Sequence, residues 1–223
     1  MHKHISLIAL ATAGLAAQAA TVDITYLGKD TSSPVIRTSE TGQVAAGVLN
    51  YTDAASGSFL AFCIEPAQPN APKSFGAQTY AVGSFTGSQE TLLQGLFSST
   101  YGSLQTANDK AAFQLAVWEI TRETSGTLDV SLNAGSFYLQ PANSTASAQA
   151  TAATLASLAN GYLGAAQSYQ GAALYTLTRL SNATYQDLVV AAPVTAVPEP
   201  QSYALLLGGL GLVGVMARRR LPR

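Results

Sequence analysis

The last stretch of this chain restricts its fold most, because that stretch has no place in a water-soluble core. From Tyr203 to Ala217 no side chain is charged, and leucine and glycine dominate. Such a run enters lipid at low cost. Its fifteen residues at helical rise reach roughly 23 Å, short of a hydrocarbon core of about 30 Å. Pro198-Glu199-Pro200 precedes it and Arg218-Arg219-Arg220 follows it. Arginine stems can snorkel and lengthen the span, and this dense positive cluster is expected to stay cytoplasmic. Everything before Pro198 is then expected outside. The alternatives are an ordinary single-pass anchor or a buried terminal helix. The second is disfavoured, since three arginines and a proline after the helix give it little reason to be apolar all round.

The front end has a matching logic. Met1-His2-Lys3-His4 is a short basic start, Ile5 to Ala17 is small and apolar, and Ala17-Gln18-Ala19 is an A-x-A cleavage pattern. This reads as a signal peptide over 1–19, handled by the Sec translocon and signal peptidase. The expected division is a signal peptide at 1–19, an extracytoplasmic body at 20–190 and a linker at 191–202. A transmembrane helix at 203–217 and a basic cytoplasmic tail at 218–223 complete it. The body has one domain's length, enough to bury a sizeable core.

Val197-Pro198-Glu199-Pro200, the Gly-rich leucine segment and Arg218, Arg219 and Arg220 resemble the PEP-CTERM signal of Gram-negative, exopolysaccharide-making bacteria. The resemblance implies an exosortase as partner. Processing would take place near Pro198, Glu199 and Pro200, with the apolar segment holding the precursor in the inner membrane and the arginines fixing its orientation. The product would go to the cell surface or the extracellular matrix of a biofilm. The resemblance covers the tail alone and says nothing about what the body does.

Composition removes several classes of function. Both histidines, His2 and His4, leave with the signal peptide, so histidine-dependent hydrolysis and histidine-ligated metals are excluded. A single cysteine makes neither an intramolecular disulfide nor a multi-cysteine zinc site. Between Ala20 and Val190 six basic residues face eleven acidic ones, a net charge of about −5, which is the wrong sign for a nucleic-acid partner. No Gly-rich phosphate loop occurs. Neither a cofactor nor a metal is expected.

Within the body, strands lead and helices occupy the middle. Thr21 to Leu27 alternates with period two and reads as a strand. Gln43 to Tyr51 and Ser58 to Ile64 read as a hairpin around Thr52 to Gly57, and Gln78 to Phe85 as a further strand. Gln89 to Ser98 and Asn108 to Arg122 read as helices. The second would be capped by Asn108 or Asp109, with Phe113, Ala116, Val117 and Ile120 as an apolar stripe. Leu128 to Leu132 and Ser136 to Leu139 are strand-like. Thr145 to Leu163 reads as a helix with a stop at Asn160-Gly161. Ala172 to Leu180 and Tyr185 to Ala191 close the domain as strands. The expected class is α+β: an antiparallel sheet, sandwich or barrel drawn from both ends of the body, with an inserted helical section.

Two segments carry the chemistry. Phe62-Cys63-Ile64-Glu65 sets an isolated cysteine in an apolar strand, and Phe113 to Ile120 holds Gln114 four residues before Trp118, the chain's one tryptophan. Residues four apart share a helix face, and an amide buried there must find partners or cost stability. A cysteine on an aromatic strand and a glutamine beside a tryptophan are what an internal thioester requires. The thiol sulfur attacks the amide carbon, ammonia leaves, and apolar walls keep water away. Each half has a plainer reading. A lone buried cysteine behaves as a small hydrophobe, and helix aromatics usually pack. Asn143-Ser144-Thr145 and Asn182-Ala183-Thr184 match glycosylation sequons by chance.

Together the halves resemble the thioester domains of bacterial surface adhesins, in which the cysteine of an aromatic-Cys-aliphatic strand bonds the glutamine of a Gln-x-x-aliphatic-Trp helix. The resemblance implies a covalent adhesin. Gln114 would be the acyl donor and Cys63 the leaving group, with Phe62, Ile64, Val117 and Trp118 as supporting walls. An amine on a surface or matrix molecule, or less readily a hydroxyl, would be the nucleophile. The reaction turns over once, so the protein would not be an enzyme. Two other readings remain open. One is a non-reactive structural or binding protein of the exopolysaccharide or biofilm matrix, with an inert Cys63. The other is an envelope enzyme using a carboxylate pair such as Glu65 and Glu119.

Overall fold

Six strands close into a barrel, and the helices are inserted between the fourth and fifth of these along the chain. The computed structural model describes residues 20–29 and 32–194. The expected signal peptide, Pro198-Glu199-Pro200, the membrane segment and the three arginines lie outside them. The strands are β1 (Thr21–Lys29), β2 (Val35–Thr38), β3 (Val44–Ala45), β4 (Leu49–Asp53), β5 (Gly57–Cys63), β6 (Gln78–Gly83), β7 (Leu139–Gln140), β8 (Tyr175–Ser181) and β9 (Leu188–Pro193). The helices are α1 (Gly87–Thr100), α2 (Ala107–Arg122) and α3 (Ala146–Ser168). The barrel order is β1-β4-β5-β9-β8-β6, and β6 pairs back onto β1. Closure leaves no open edge in this sheet. A small second sheet has the order β3-β2-β7.

The α+β class and the origin of the sheet in both ends of the body are as the sequence implies, and among the open architectures the barrel is the one formed. Several local expectations need correction. Gln43 to Tyr51 is broken into β3 and β4, because Ala46 to Val48 leaves the small sheet to join the barrel. Leu128 to Leu132 forms no strand, and only Leu139 of the second strand-like stretch pairs. The 128–132 backbone accepts one bond from Leu139 N–H, at Val130 C=O, and side chains take its amides: Asp129 N–H donates to Glu119 Oε1 at 2.8 Å and Val130 N–H to Asn160 Oδ1 at 3.0 Å. The bond to Asn160 also explains why α3 runs past Asn160-Gly161 to Ser168. Asn160 is busy with the 129–131 turn, not with ending its own helix.

α2 begins one turn-residue earlier than expected. Thr106 is the cap, accepting from Asp109 N–H, while the Asp109 carboxylate accepts from Thr106 N–H, a reciprocal capping box. The helix is also no simple amphipathic element. Every residue from Ala111 to Ile120 is buried, because α1, α3, β5 and the 123–139 segment surround it. Phe113 meets Phe62 of β5, Phe97 of α1 and Tyr101 at ring-centroid distances of 4.8, 4.9 and 5.8 Å. These rings weld the barrel to the helices, at about 0.5–1.5 kcal/mol per pair beyond area burial. α1 in turn crosses α3 at Gly95, where a Cβ would sit 2.4 Å from the Ala166 carbonyl oxygen.

Candidate functional site

Cys63 is the last residue of β5, at a place where the sheet runs out on one side. β4 pairs with β5 only as far as Leu49 opposite Ala61, while β9 continues alongside to Leu188 opposite Cys63. Ile64 N–H donates to Asp187 C=O on the β9 side. Backbone groups of successive strand residues point to opposite sides, so those of Cys63 point toward the missing length of β4. An unpartnered N–H and C=O there would be costly.

Gln114 fills the gap. Its Oε1 accepts from Cys63 N–H at 3.0 Å, and its Nε2 donates to Cys63 C=O at 2.7 Å. The side-chain amide thus stands in for a peptide group of the absent strand. Gln114 is 1 % exposed and Cys63 3 %, so both bonds are made away from bulk water. α2 can deliver the amide to this spot because Phe113, one residue earlier, is anchored against Phe62, one residue before Cys63. Two adjacent residue pairs therefore fix the register of helix on strand.

Chemically the arrangement has three consequences. The Cys63 N–H is aimed at the amide oxygen, where negative charge develops if a nucleophile adds to Gln114 Cδ. The amide nitrogen is held separately, on the Cys63 carbonyl. The thiol belongs to the same residue as both partners. Burial pushes the Cys63 thiol up to about 12, against the opposing pull of the Trp118 indole and the Glu65 backbone N–H. The sulfur is therefore a neutral thiol at ordinary pH, shielded from water-borne reagents by its burial. No other cysteine or histidine lies in the described residues to activate it.

Cys63, Gln114 and Trp118 line one cavity of about 260 Å³, together with Lys29, Asn70 and Gln186 among others. Of the described residues lining it, none is a carboxylate. Two buried polar atoms in this lining have no hydrogen-bond partner: Trp118 Nε1 and Gln186 Oε1. Asn70 Oδ1 accepts from Tyr51 Oη at 3.3 Å. Nothing in the sequence singles out Gln186 or Asn70, because both lie in loops far from the two motifs and reach the cavity only through the barrel's closure.

The remaining expected site residues are placed elsewhere. Phe62 belongs to the aromatic cluster with Phe97, Tyr101 and Phe113. Val117 is fully buried on α2, and Ile64 lines a separate small cavity with Glu65, Arg122, Arg179 and Asp187. The cavity lined by Glu65 does not include Glu119. Glu119 is fully buried, its Oε1 taken by Asp129 N–H and its Oε2 without a partner. Desolvation pushes it up to about 8. Asn143 and Asn182 use their Oδ1 atoms to accept local backbone N–H groups at Thr145, and at Thr184 and Tyr185, a turn-making role. No group of acidic, cysteine or histidine side chains among the described residues is arranged to hold a metal. No helix among them is long and apolar enough to cross a membrane.

No curated protein matches the chain. Among solved structures it is similar to the N-terminal domain of the Streptococcus pyogenes pilus tip adhesin Cpa. The TM-score is 0.45 at 18% identity, covering 81% of this chain and 97% of that one. It is also similar to the N-terminal thioester domain of fibronectin-binding protein SfbI from Streptococcus pyogenes, with TM-score 0.41, 16% identity, and coverage of 74% and 96%. A third is the Bacillus anthracis TIE protein, with TM-score 0.41, 13% identity, and coverage of 81% of this chain and 34% of that one. At these scores the likeness supports nothing about chemistry. At the other end the match is to a defined signal: residues 196–220 match the PEP-CTERM protein-sorting motif, which implies an exported, membrane-anchored precursor processed by an exosortase.

Proposed function

We propose that the body is a covalent adhesin, armed by an internal thioester between Cys63 Sγ and Gln114 Cδ and delivered to the cell surface or extracellular matrix by its sorting tail. The observation that carries this reading is the paired hydrogen bonding of the Gln114 amide to the Cys63 backbone. It holds the acyl carbon beside the thiol-bearing residue and polarises its carbonyl. In forming the bond, Sγ adds to Cδ, the C–N bond breaks, and the thiol proton leaves on nitrogen as ammonia. Because burial keeps Cys63 protonated, the thiol itself carries the proton that the departing nitrogen needs. Trp118, packed on Phe137, and the sealed strand end keep water from the product.

In use, an external nucleophile takes the acyl group from sulfur and frees the thiol. The protein is consumed in the event and is not an enzyme. Treatment of the exported chain with methylamine tests the reading. The expected result is a methylamide at Gln114 together with a Cys63 thiol that alkylates once the chain is unfolded and that the untreated chain lacks. A thiol that alkylates equally on unfolding before treatment, with an unmodified Gln114, would leave the second reading. In that case the same hydrogen bonds only knit β5 to α2 in an inert matrix component.

A further inference from the structure

Two side chains that line the cavity over the Cys63–Gln114 pair each carry a buried polar atom without a hydrogen-bond partner, and the two are of opposite kind. Trp118 Nε1–H acts on the Cys63 sulfur nearby but has no acceptor in hydrogen-bond geometry, and Gln186 Oε1 is an acceptor without a donor. Both residues are more than nine-tenths buried, at 2 % and 7 % exposure, and both line the same cavity as Cys63 and Gln114. A buried orphan of this sort normally marks a missing partner. One small group satisfies both kinds at once. A hydroxyl donates one hydrogen bond and has two lone pairs, one to accept from the indole N–H and one to attack, whereas a neutral amine has a single lone pair and cannot do both.

Charge points the same way. The described lining contains Lys29 and the amides of Gln43, Asn70, Gln114 and Gln186, with no carboxylate to receive a cation. A lysine ammonium, the form that dominates at neutral pH, would enter a space whose one charged described lining residue, the exposed Lys29, is itself positive. Amide side chains suit neutral hydroxyl-bearing molecules well.

Resting on the thioester reading above, we propose that the acceptor is a hydroxyl of an uncharged polyol, of the carbohydrate class, seated between Trp118 Nε1–H and Gln186 Oε1. The step balances without a further reagent. The hydroxyl oxygen bonds to Gln114 Cδ, the Cδ–Sγ bond breaks, and the hydroxyl proton passes to the departing sulfur, leaving an ester and the Cys63 thiol. Amines are intrinsically better nucleophiles toward acyl carbon. Seating a hydroxyl against the bond replaces that advantage by proximity.

The test uses the exported chain after its loss of ammonia has been verified. It is offered glycerol and methylamine together at equal concentration and neutral pH, and the adduct at Gln114 is read by intact mass and peptide mapping. The expected result is a glyceryl ester in excess of the methylamide. Gln186→Leu should lower the ester-to-amide ratio about tenfold, the effect of one hydrogen bond, with amide formation retained. Lys29→Ala should raise the amide yield. A wild-type protein giving mainly methylamide, or a ratio unmoved by Gln186→Leu, overturns the hydroxyl assignment while leaving the thioester in place. A chain that never loses ammonia overturns both.

Discussion

The side-chain amide of Gln114 replaces a strand, pairing with both backbone groups of Cys63 at 3.0 and 2.7 Å where β4 has already ended. Its removal should therefore be felt in the fold as well as in the chemistry. Gln114→Ala leaves a buried N–H and C=O unmet, a loss of about 2–4 kcal/mol, measurable as a lowered urea midpoint. Gln114→Glu keeps the size but sets an oxygen against the Cys63 carbonyl, and should also destabilise. The same carboxylate forms if the thioester hydrolyses, so a spent protein should unfold earlier than a fresh one.

Trp118 should govern the lifetime of the bond more than its formation. Trp118→Phe retains an aromatic ring next to Phe137 but removes the indole N–H and part of the wall. The expected outcome is normal ammonia loss followed by faster hydrolysis, read as conversion of the Gln114 side chain to a carboxylate over hours at neutral pH. An unchanged lifetime would assign water exclusion to other residues.

Glu119 gives the body a pH dependence of definite sign. Burial raises its folded-state value from 4.5 to about 8, so the folded chain keeps a proton that the unfolded chain releases. Its contribution is fully present below the unfolded value and is lost as pH rises through the folded one. Stability should therefore fall between about pH 5 and pH 8. Glu123, held near 2 by hydrogen bonds from Ser125, Ser136 and Phe137, and the lowered Asp109 and Asp129 act below that window. Glu119→Gln keeps the acceptor for Asp129 N–H and should flatten the urea midpoint between these two pH values. A slope unchanged by the substitution would place the dependence elsewhere.

The contact of α1 with α3 depends on a missing side chain. Gly95→Ala drives a Cβ to 2.4 Å from the Ala166 carbonyl oxygen, and helix backbones cannot both hold their places. Overpacking of this kind costs about 1–3 kcal/mol, against the gain in helix propensity of roughly 1 kcal/mol that alanine brings elsewhere. The expected result is a net fall in Tm. Gly161→Ala on α3, where a Cβ meets nothing within 4 Å, should raise it.

How far the sequence revealed this arrangement depends on the range of the forces involved. The opening strand, the helices and the two closing strands are written in local periodicity, and the closure of both ends into one sheet follows from strands lying on either side of a helical insert. The pairing of Cys63 with Gln114 was legible only as two motifs, since no local signal says that a helix amide replaces a lost strand partner. The burial of Gln114 follows from its place beside Trp118, but the all-round burial of α2 does not, because nothing local says that the 129 turn supplies a partner for the Glu119 carboxylate. Thr106 as cap was missed because Asn108 and Asp109 are equally good capping residues by type. Gln186 carried no signal at all, because only the barrel brings its loop to the cavity.

The sorting tail makes an independent demand. Deleting Pro198-Glu199-Pro200 should leave the chain in the inner-membrane fraction at its precursor mass, while wild type leaves that fraction with a shortened C-terminus. Equal release of both would detach delivery from the motif at 196–220.

Whether the strand-end cysteine and the helix amide are covalently joined is decided by the intact mass of freshly exported protein kept near neutral pH, set beside its Cys63→Ala form. The expected result is a wild-type mass lower by one ammonia than its processed sequence requires, with the deficit absent from the variant. A wild-type protein at full mass, carrying a thiol that alkylates once unfolded, would contradict it.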